Sequence, residues 1–263
     1  MVDGLPEPIV PADLYDEDYF RSCCAGSDEW SASSGAAPAP MYEGYLRRAG
    51  LRAGEAVLDM GTGRGELVAV AARLGAATAV GVEYSAAATS LARHTIEALE
   101  VQRGALVTRG DVRSTPVRSA SIDLVTFLDI VEHLGHAELD AALAEARRVL
   151  RRGGRVLVHT MPNRSIYDVT YRALRAVRPR WPADPRNDYE RRMHVNEQTV
   201  SSLRRALRGA GFNAVRVTTG EWVYTDFLPD EWARRLYRRL ARSPLTARLA
   251  AGDIWAEATK ATS

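Results

Sequence analysis

The sequence contains little cysteine, little lysine and no long apolar run, and each shortage excludes a class of protein. Its two cysteines, Cys23 and Cys24, are neighbours, and neighbouring side chains diverge too far to close an ordinary disulfide easily. A secreted scaffold held together by disulfides is therefore not expected. Lys260 is the only lysine, and the fixed charge of arginine cannot replace an amine in Schiff-base or general-base chemistry. This excludes enzymes that rely on a catalytic lysine.

The longest apolar region, residues 67–82, is interrupted by Arg73 and falls short of the roughly 20 apolar residues that a spanning helix needs. No membrane span is predicted. Residues 1–7 are acidic and contain a proline, whereas a secretory signal has basic residues followed by an apolar run, so we expect a cytoplasmic protein. The 35 basic and 33 acidic side chains give a net charge of +2, which argues against a protein that coats nucleic acid.

Short apolar segments alternate with alanine-rich segments between residues 51 and 160, which is typical of an α/β fold with a parallel sheet. The predicted strands are 56–60, 78–83, 105–109, 122–128 and 155–160. The predicted helices are 66–74, 85–99 and 137–150, and the last is expected to end at the basic turn and glycine stop of residues 151–154.

Both ends of this core carry additions. Residues 1–40 are predicted to be an N-terminal arm, with a helix near 13–24 and a linker at 31–40, and residues 41–263 form the remaining domain, beginning with a helix at 41–49. Prolines break the pattern at 161–196, too long for a plain connection, and predict an insertion. A helix at 197–210, a strand at 214–219, a helical segment at about 229–250 and a last strand at 253–259 follow.

The sharpest motif is a glycine-rich turn between a buried strand and a helix, Asp59-Met60-Gly61-Thr62-Gly63-Arg64-Gly65. Glycines let a backbone approach a ligand closely, and a helix N-terminus presents unpaired N–H groups. An acid ahead of the turn would repel the phosphates of a dinucleotide but suits a cationic amino-acid cofactor. Glu83 ends the next strand, where an acid can accept both ribose hydroxyls, and Asp111 follows the third strand, where it can accept from an adenine amine.

Residues 51–160 thereby resemble the seven-stranded S-adenosylmethionine-dependent methyltransferase family. The resemblance implies a Rossmann-like, doubly wound sheet of seven strands whose last strand is antiparallel. It also implies that Asp59, Gly61, Thr62 and Gly63 lie along the methionine part of the cofactor and that Glu83 holds the ribose. Tyr84, Asp111 and Val112 would surround the adenine, and Leu128 and Asp129 would lie beside the sulfonium.

Asp129-Ile130-Val131-Glu132-His133 offers polar groups directly after the fourth strand. Three interpretations stay open. His133 or Asp129 accepts a proton or contacts the substrate; Asp129, Glu132 and His133 bind a divalent metal, as the similar D/E-x-x-E-H set of some quinone and RNA-end O-methyltransferases implies; or these residues pack and cap the next helix.

The arm and the insertion supply the other candidates. Tyr15 and Tyr19 share one helical face, and similar aromatic segments close over the cofactor in small-molecule methyltransferases; docking of a terminal helix is the alternative. Tyr167, Tyr171, Trp181 and Tyr189 of the insertion are expected to line an aromatic substrate pocket, and His194 is a second candidate base. The arm has an excess of acids and the insertion an excess of arginines, so attraction between them is one hypothesis, beside an anionic substrate, a nucleic-acid face or plain solvated surface.

The function that these patterns favour is methyl transfer from S-adenosylmethionine to an oxygen or nitrogen of a small metabolite, and the arginine bias is typical of natural-product tailoring enzymes. The alternatives are an RNA-binding or RNA-modifying methyltransferase and a cofactor-binding protein without catalysis. Trp232, Leu236 and Leu240 form an apolar seam that would contribute to a lid or a homodimer contact.

Overall fold

A computed structural model describes residues 5–220, 225 and 227–262, so the start of the arm, residues 1–4, lies outside the described residues. The sheet has seven strands in the order β3-β2-β1-β4-β5-β7-β6. They are β1 (Ala56–Met60), β2 (Thr78–Glu83), β3 (Ala105–Arg109), β4 (Ile122–Leu128), β5 (Leu150–Thr160), β6 (Asn213–Thr219) and β7 (Ile254–Thr259). The last strand, β7, runs antiparallel to both of its neighbours, β5 and β6, and the other pairs are parallel, which confirms the predicted class of fold.

Helices cover both faces of the sheet. They are α1 (Glu17–Ser22), α2 (Ser27–Ser33), α3 (Met41–Arg48), α4 (Glu66–Arg73), α5 (Ala86–Ala98), α6 (His136–Val149), α7 (Arg172–Ala176), α8 (Asp188–Met193), α9 (Val200–Gly209), α10 (Glu231–Arg242) and α11 (Ala247–Ala250). Val57 packs toward α3 and α4 whereas Leu58 packs toward α6 and α9, because successive strand residues face opposite sides. The strand is therefore buried on both sides, as its continuous apolar run predicts.

The predicted glycine stop after α6 is wrong. The helix ends at Val149, and residues 151–154 continue as part of β5, which starts five residues earlier than expected. The N–H of Gly153 donates to the carbonyl of Lys260 (3.0 Å), and the carbonyl of Gly154 accepts from the N–H of Lys260 (2.9 Å). Pairing with the chain's C-terminal segment thus extends the strand, and local residue preference carries no sign of such a distant partner.

The arm also differs from the prediction. A short 3₁₀ turn (Ala12–Leu14) and α1 replace the single helix near 13–24, and α2 occupies the beginning of the expected linker at 31–40. The reason is Trp30, whose indole N–H donates to the hydroxyl of Thr95 (2.7 Å) in a fully buried position. One buried tryptophan anchors a segment whose composition otherwise indicates a linker.

The insertion and the segment around α10 pack against each other. A π-helical turn (Ile166–Tyr171), α7, α10 and α11 enclose a small apolar core that contains Tyr171, Trp181 and Tyr237. The predicted seam on α10 is wrong in part, because Ala233, Tyr237 and Ala241 form its buried face while Leu236 is exposed. Trp232 and Leu240 are partly buried against this same core, and the homodimer contact stays a prediction. No helix within the described ranges has both the length and the apolar character needed to span a membrane.

Candidate cofactor and acceptor site

A cavity of about 350 Å³ opens at the carboxyl ends of β1 and β4. These two strands are neighbours, and the chain crosses from β1 to one side of the sheet and from β4 to the other, which is the switch point where open α/β sheets bind ligands. Every residue predicted from the sequence for cofactor, catalysis or metal lines this cavity. They are Tyr15, Tyr19, Asp59, Gly61, Thr62, Gly63, Glu83, Tyr84, Asp111, Val112, Leu128, Asp129, Glu132, His133 and His194.

The glycines of the turn have different roles. A side chain at Gly61 would collide with Ile130, whose Cδ1 lies 2.3 Å from the added Cβ, and one at Gly65 would collide with Ala92. Gly63 has φ +54° and only Phe20 of the arm nearby, at 3.5 Å. Gly63 is therefore the glycine that leaves room for a ligand, whereas Gly61 and Gly65 let the turn pack closely against Ile130 after β4 and Ala92 of α5.

Two buried carboxylates lie along the cavity floor. Asp59 accepts from the hydroxyl of Thr126 (2.6 Å), and burial nevertheless raises its pKa to about 6. Glu83 accepts from the N–H of Gly63 (3.0 Å) and the N–H of Ser85 (2.9 Å), and burial raises its pKa as well. Both acids lose solvation without a cationic partner of their own in the described structure, so a ligand with positive charge or hydroxyl donors would be stabilised here.

The carboxylate of Asp111 is held by Arg113, a residue that no motif in the sequence had singled out. Arg113 donates to both oxygens of Asp111 (2.7 Å from Nη2 to Oδ2), and its Nη1 lies 3.2 Å from Glu138. This pairing fixes the plane of the Asp111 carboxylate at the cavity edge. An adenine amine would therefore meet an acceptor whose orientation is already set.

The arm covers the cavity because side chains from three loops bind its backbone carbonyls. Arg64 after β1 donates to the carbonyls of Phe20 (2.5 Å) and Ala25 (2.7 Å). Tyr84 and Ser85 after β2 donate to those of Val10 and Tyr15, and Arg113 after β3 donates to that of Pro6. The loops that line the cofactor cavity thus also hold the arm, a coupling that separate motifs could not predict.

Aromatic contacts join the arm to the insertion. Tyr19 and Tyr189 stack with ring centres 5.4 Å apart, and their hydroxyls are 2.8 Å apart. No ion pair links the two segments within the described residues, so the hypothesis of ionic attraction is replaced by an aromatic contact. Of the insertion aromatics predicted to line a substrate pocket only Tyr189 does so; Tyr167, Tyr171 and Trp181 belong to the small apolar core instead.

The cluster of potential ligand atoms differs from the predicted set. Glu132, His133 and His194 bring one ligand atom each within 4.8 Å of one another, whereas Asp129 is outside this group. The rings of His133 and His194 are 4.9 Å apart, and the Nδ1 atom of each is buried without a hydrogen-bond partner. The carboxylate of Glu132 accepts from the hydroxyl of Thr160 (2.9 Å).

Burial sets the charge of this cluster. It lowers the pKa of His133 to about 3, with the nearby His194 adding to the effect, and lowers the pKa of His194 to about 4. Burial and the charge of Asp129 raise the pKa of Glu132 to about 8. At neutral pH the three groups are therefore uncharged, and the histidines are free bases. The charge of Asp129 and the backbone at Met193 partly offset the effect on His133.

Asp129 pairs with His159, which sequence reasoning missed. The carboxylate Oδ1 of Asp129 lies 2.8 Å from Nδ1 of His159, and Nε2 of His159 lies 3.3 Å from Asp253. Burial opposes both charges, but the attraction between them outweighs it, lowering the pKa of Asp129 and raising that of His159 to about 10. The available signal was a polar residue at the carboxyl end of β5, the criterion that had identified Asp59 and Glu83.

The cavity fits an adenosyl sulfonium cofactor by its chemistry. Its described lining contains seven carboxylates, Asp59, Glu83, Asp111, Asp129, Glu132, Glu138 and Glu190, and only two arginines. Arg64 is paired with the buried Glu66 (2.7 Å) and Arg113 with Asp111, so neither is available to a phosphate. Acceptors placed for an ammonium group, two ribose hydroxyls and an amine match S-adenosylmethionine and disfavour a dinucleotide.

Comparison with known proteins agrees with this geometry. Residues 58–158 match the family described as a methyltransferase domain. A probable S-adenosylmethionine-dependent methyltransferase of Mycolicibacterium smegmatis is 30% identical over 171 residues, which cover 64% of this chain and 56% of the relative. The ubiquinone biosynthesis O-methyltransferase of Nitrosococcus oceani is 30% identical over 124 residues, covering 46% and 50%. The chain thus spans about half the length of these curated relatives.

Solved structures share the fold at low sequence identity. Phosphoethanolamine N-methyltransferase 2 of Haemonchus contortus, in complex with S-adenosylmethionine, has a TM-score of 0.63 and 15% identity, with 93% of this chain and 60% of that chain covered. Geranyl diphosphate C-methyltransferase of Streptomyces coelicolor has a TM-score of 0.58 and 15% identity, with 84% and 75% covered. These similarities establish the fold alone.

Proposed function

Because the chain carries a domain of the methyltransferase family over residues 58–158, with the fold of S-adenosylmethionine-dependent enzymes, we propose that it transfers a methyl group from S-adenosylmethionine to an oxygen or nitrogen of a small molecule. The observation that carries this proposal is the position of His133. Its imidazole is neutral and forms part of the wall of the cavity that Asp59, Gly63 and Glu83 also line. A proton acceptor and a cofactor floor thus share one enclosed space.

Each part of the cofactor has a matching group. Asp59 and Asp129 would hold the methionyl end, Gly63 would leave room for the backbone to approach, and Glu83 would accept from the ribose hydroxyls. Asp111 would meet the adenine amine, and the ring of Tyr84 would flank the base. Bound S-adenosylmethionine supplies an electrophilic methyl carbon on a positively charged sulfur.

The chain's own residues would align the acceptor and remove its proton. Methyl transfer is an in-line displacement that depends mainly on alignment and on exclusion of water. Tyr15, Tyr19 and Tyr189 close the cavity over that reaction. As the bond between acceptor and methyl carbon forms and the bond to sulfur breaks, the attacking atom becomes strongly acidic, so even a histidine of low pKa can take its proton.

The charge of the cavity favours an acceptor without phosphate. Its lining is rich in carboxylates, and Arg64 and Arg113 are both engaged by acids and backbone carbonyls. The short segments outside the described residues contain no lysine or arginine. The two methyltransferases of similar fold are named for phosphorylated substrates, phosphoethanolamine and geranyl diphosphate. We expect this chain instead to take an uncharged or cationic acceptor, such as a phenol or an amine.

The alternatives predict different behaviour. An RNA acceptor must displace the arm, which lies over the cavity, and its binding would weaken steeply with salt. A protein that only binds the cofactor would show affinity without transfer. Titration calorimetry with S-adenosylhomocysteine tests the first half of the proposal. Transfer of labelled methyl groups to matched phenols and phenyl phosphates tests the second; absence of cofactor binding, or transfer to the phosphates alone, would contradict it.

A further inference from the structure

Three charged side chains form a row at the end of β5, and only the first of them reaches the cavity. Asp129 follows β4, His159 lies in β5 and Asp253 precedes β7, so neighbouring strands bring them together. Oδ1 of Asp129 lies 2.8 Å from Nδ1 of His159, and Nε2 of His159 lies 3.3 Å from Asp253. Asp129 lines the cavity, whereas His159 and Asp253 do not.

The part of this row that lies away from the cavity, His159 and Asp253, is fixed by packing. His159 and Asp253 are both 4% exposed. The indole N–H of Trp255 donates to Oδ2 of Asp253 (2.9 Å), and the ring of Trp255 lies 4.2 Å from that of His159. Tyr45 also packs against His159, with ring centres 5.7 Å apart, and against Trp255, with ring centres 4.8 Å apart. These contacts hold the imidazole between the two carboxylates, with Nδ1 on the side of Asp129.

The near end is held in an unusual backbone conformation. Asp129 has φ +52°, a region that non-glycine residues rarely adopt. Two contacts with one residue keep it there: its N–H donates to the carbonyl of His159 (3.1 Å), and its carboxylate meets the imidazole of His159. Oδ1 is buried while the side chain as a whole is 36% exposed, so Oδ2 is the oxygen that faces the cavity.

We propose that His159 is a positioning residue for the cofactor: it binds one oxygen of Asp129 and thereby directs the other at the ammonium group of the methionyl part. This deepens the proposed function and rests on it. A carboxylate held on one side by a fixed cation keeps its charge and its direction, and charge-assisted contacts depend strongly on both. His159 itself touches neither cofactor nor acceptor.

The test compares two ligands that differ only at the end in question. S-adenosylhomocysteine carries the amino-acid part, and 5′-methylthioadenosine is the same adenosyl thioether without it. His159→Phe replaces the imidazole by a ring without donors. It is expected to weaken the affinity for S-adenosylhomocysteine about tenfold or more and to leave the affinity for 5′-methylthioadenosine unchanged. His159→Asn, which keeps a donor near Nδ1, is expected to recover part of the loss. His94→Phe is the control, since His94 is exposed, does not line the cavity and contacts the carbonyl of Ser34 and the ring of Trp30 in the described structure.

Asp129→Asn provides an independent route should His159→Phe fail to fold. It is expected to show the same selective loss, and combining it with His159→Asn is expected to add little, because the two residues act as one unit. Equal weakening of both ligands would assign His159 a structural role only and overturn the inference, as would unchanged affinity for both. If the unaltered protein binds neither ligand, the cofactor proposal itself fails, and the inference fails with it.

Discussion

The hydroxyls of Tyr19 and Tyr189 lie 2.8 Å apart although 170 residues separate them in the chain. Tyr19 belongs to the N-terminal arm and Tyr189 to the insertion after β5, so this contact closes the cavity from two sides. Burial raises the pKa of both phenols, which keeps them protonated and able to share a hydrogen bond.

Removing this hydrogen bond should loosen the closure. Tyr19→Phe keeps the ring stack but loses the bond, worth about 1 kcal/mol or roughly a fivefold weaker affinity for S-adenosylhomocysteine. Calorimetry measures the change. Tyr171→Phe is the matched control, because Tyr171 also donates one hydrogen bond, to the carbonyl of Pro182, but away from the cavity. Equal affinities for the two variants would remove the hydroxyl contact from the closure.

The ion pair between Arg64 and Glu66 should contribute strongly to the stability of the protein where the arm lies over the cavity. Both side chains are almost fully buried, at 2% and 1% exposure. Arg64→Met would leave the carboxylate of Glu66 buried without its cation and should cost about 3–5 kcal/mol of unfolding free energy. Chemical denaturation measures this, and Arg64→Met combined with Glu66→Leu should restore much of it. Arg47→Met, at an exposed pair with Glu43, should cost less than about 1 kcal/mol.

His133 should affect catalysis and not cofactor affinity. His133→Ala removes the neutral nitrogen on the cavity wall, and loss of a proton acceptor lowers turnover by about 10²- to 10⁴-fold. Affinity for S-adenosylhomocysteine should stay within about a factor of two, since the expected cofactor contacts lie elsewhere. Because the pKa of His133 is about 3, protonation of His133 should not lower turnover at saturating cofactor between pH 7 and pH 5. Full turnover by the alanine variant at saturating cofactor would contradict the assignment.

His159 should make the protein less stable at alkaline pH. Its pKa is raised from 6.5 to about 10 in the folded state, so its contribution is fully present below pH 6.5 and is lost as the pH rises toward 10. The unfolding free energy should fall by up to about 1.4 kcal/mol for each pH unit in that window. Urea denaturation at a series of pH values measures the slope, and His159→Asn should flatten it. Parallel slopes in both proteins would show that His159 is not charged.

Chelation should leave methyl transfer unchanged. Glu132, His133 and His194 lie close enough to hold a cation, but the pKa of Glu132 is about 8, so at neutral pH a metal would have to displace its proton. Turnover after EDTA treatment and dialysis is expected to equal that of untreated protein, and added Mg²⁺ or Zn²⁺ is expected to give no increase. Loss of activity on chelation with recovery on one metal would reassign the cluster from proton acceptor to metal site.

The elements that depend on local pattern could be predicted. β1 to β4 have the expected bounds because their apolar runs are bounded by turns, and α3 begins at the expected residue. The grouping of acids along the cavity was also predictable, since residues at the carboxyl ends of parallel strands must meet at one edge of the sheet. That rule brings Asp59, Glu83, Asp111 and Asp129 together without knowledge of any side-chain contact.

The elements that depend on contacts with distant parts of the chain could not be predicted from the sequence. The extension of β5 requires pairing with Lys260, and α2 requires a pocket for Trp30 beside Thr95. His194 joins Glu132 and His133 only because the insertion folds back over β4. A single sequence gives no sign of which residues from separate segments will become neighbours.

The amino-acid sequence by itself determined the segments that form β1 to β4, the glycine turn and the acids that follow it, because periodicity and residue type act locally. Only the tertiary structure decided that the arm lies over the cavity, that both lining arginines are already engaged and that His159 supports Asp129. The physical reason is that charge and burial depend on neighbours: His159, held between two carboxylates, keeps its proton, whereas burial without such a pairing removes the proton of His133.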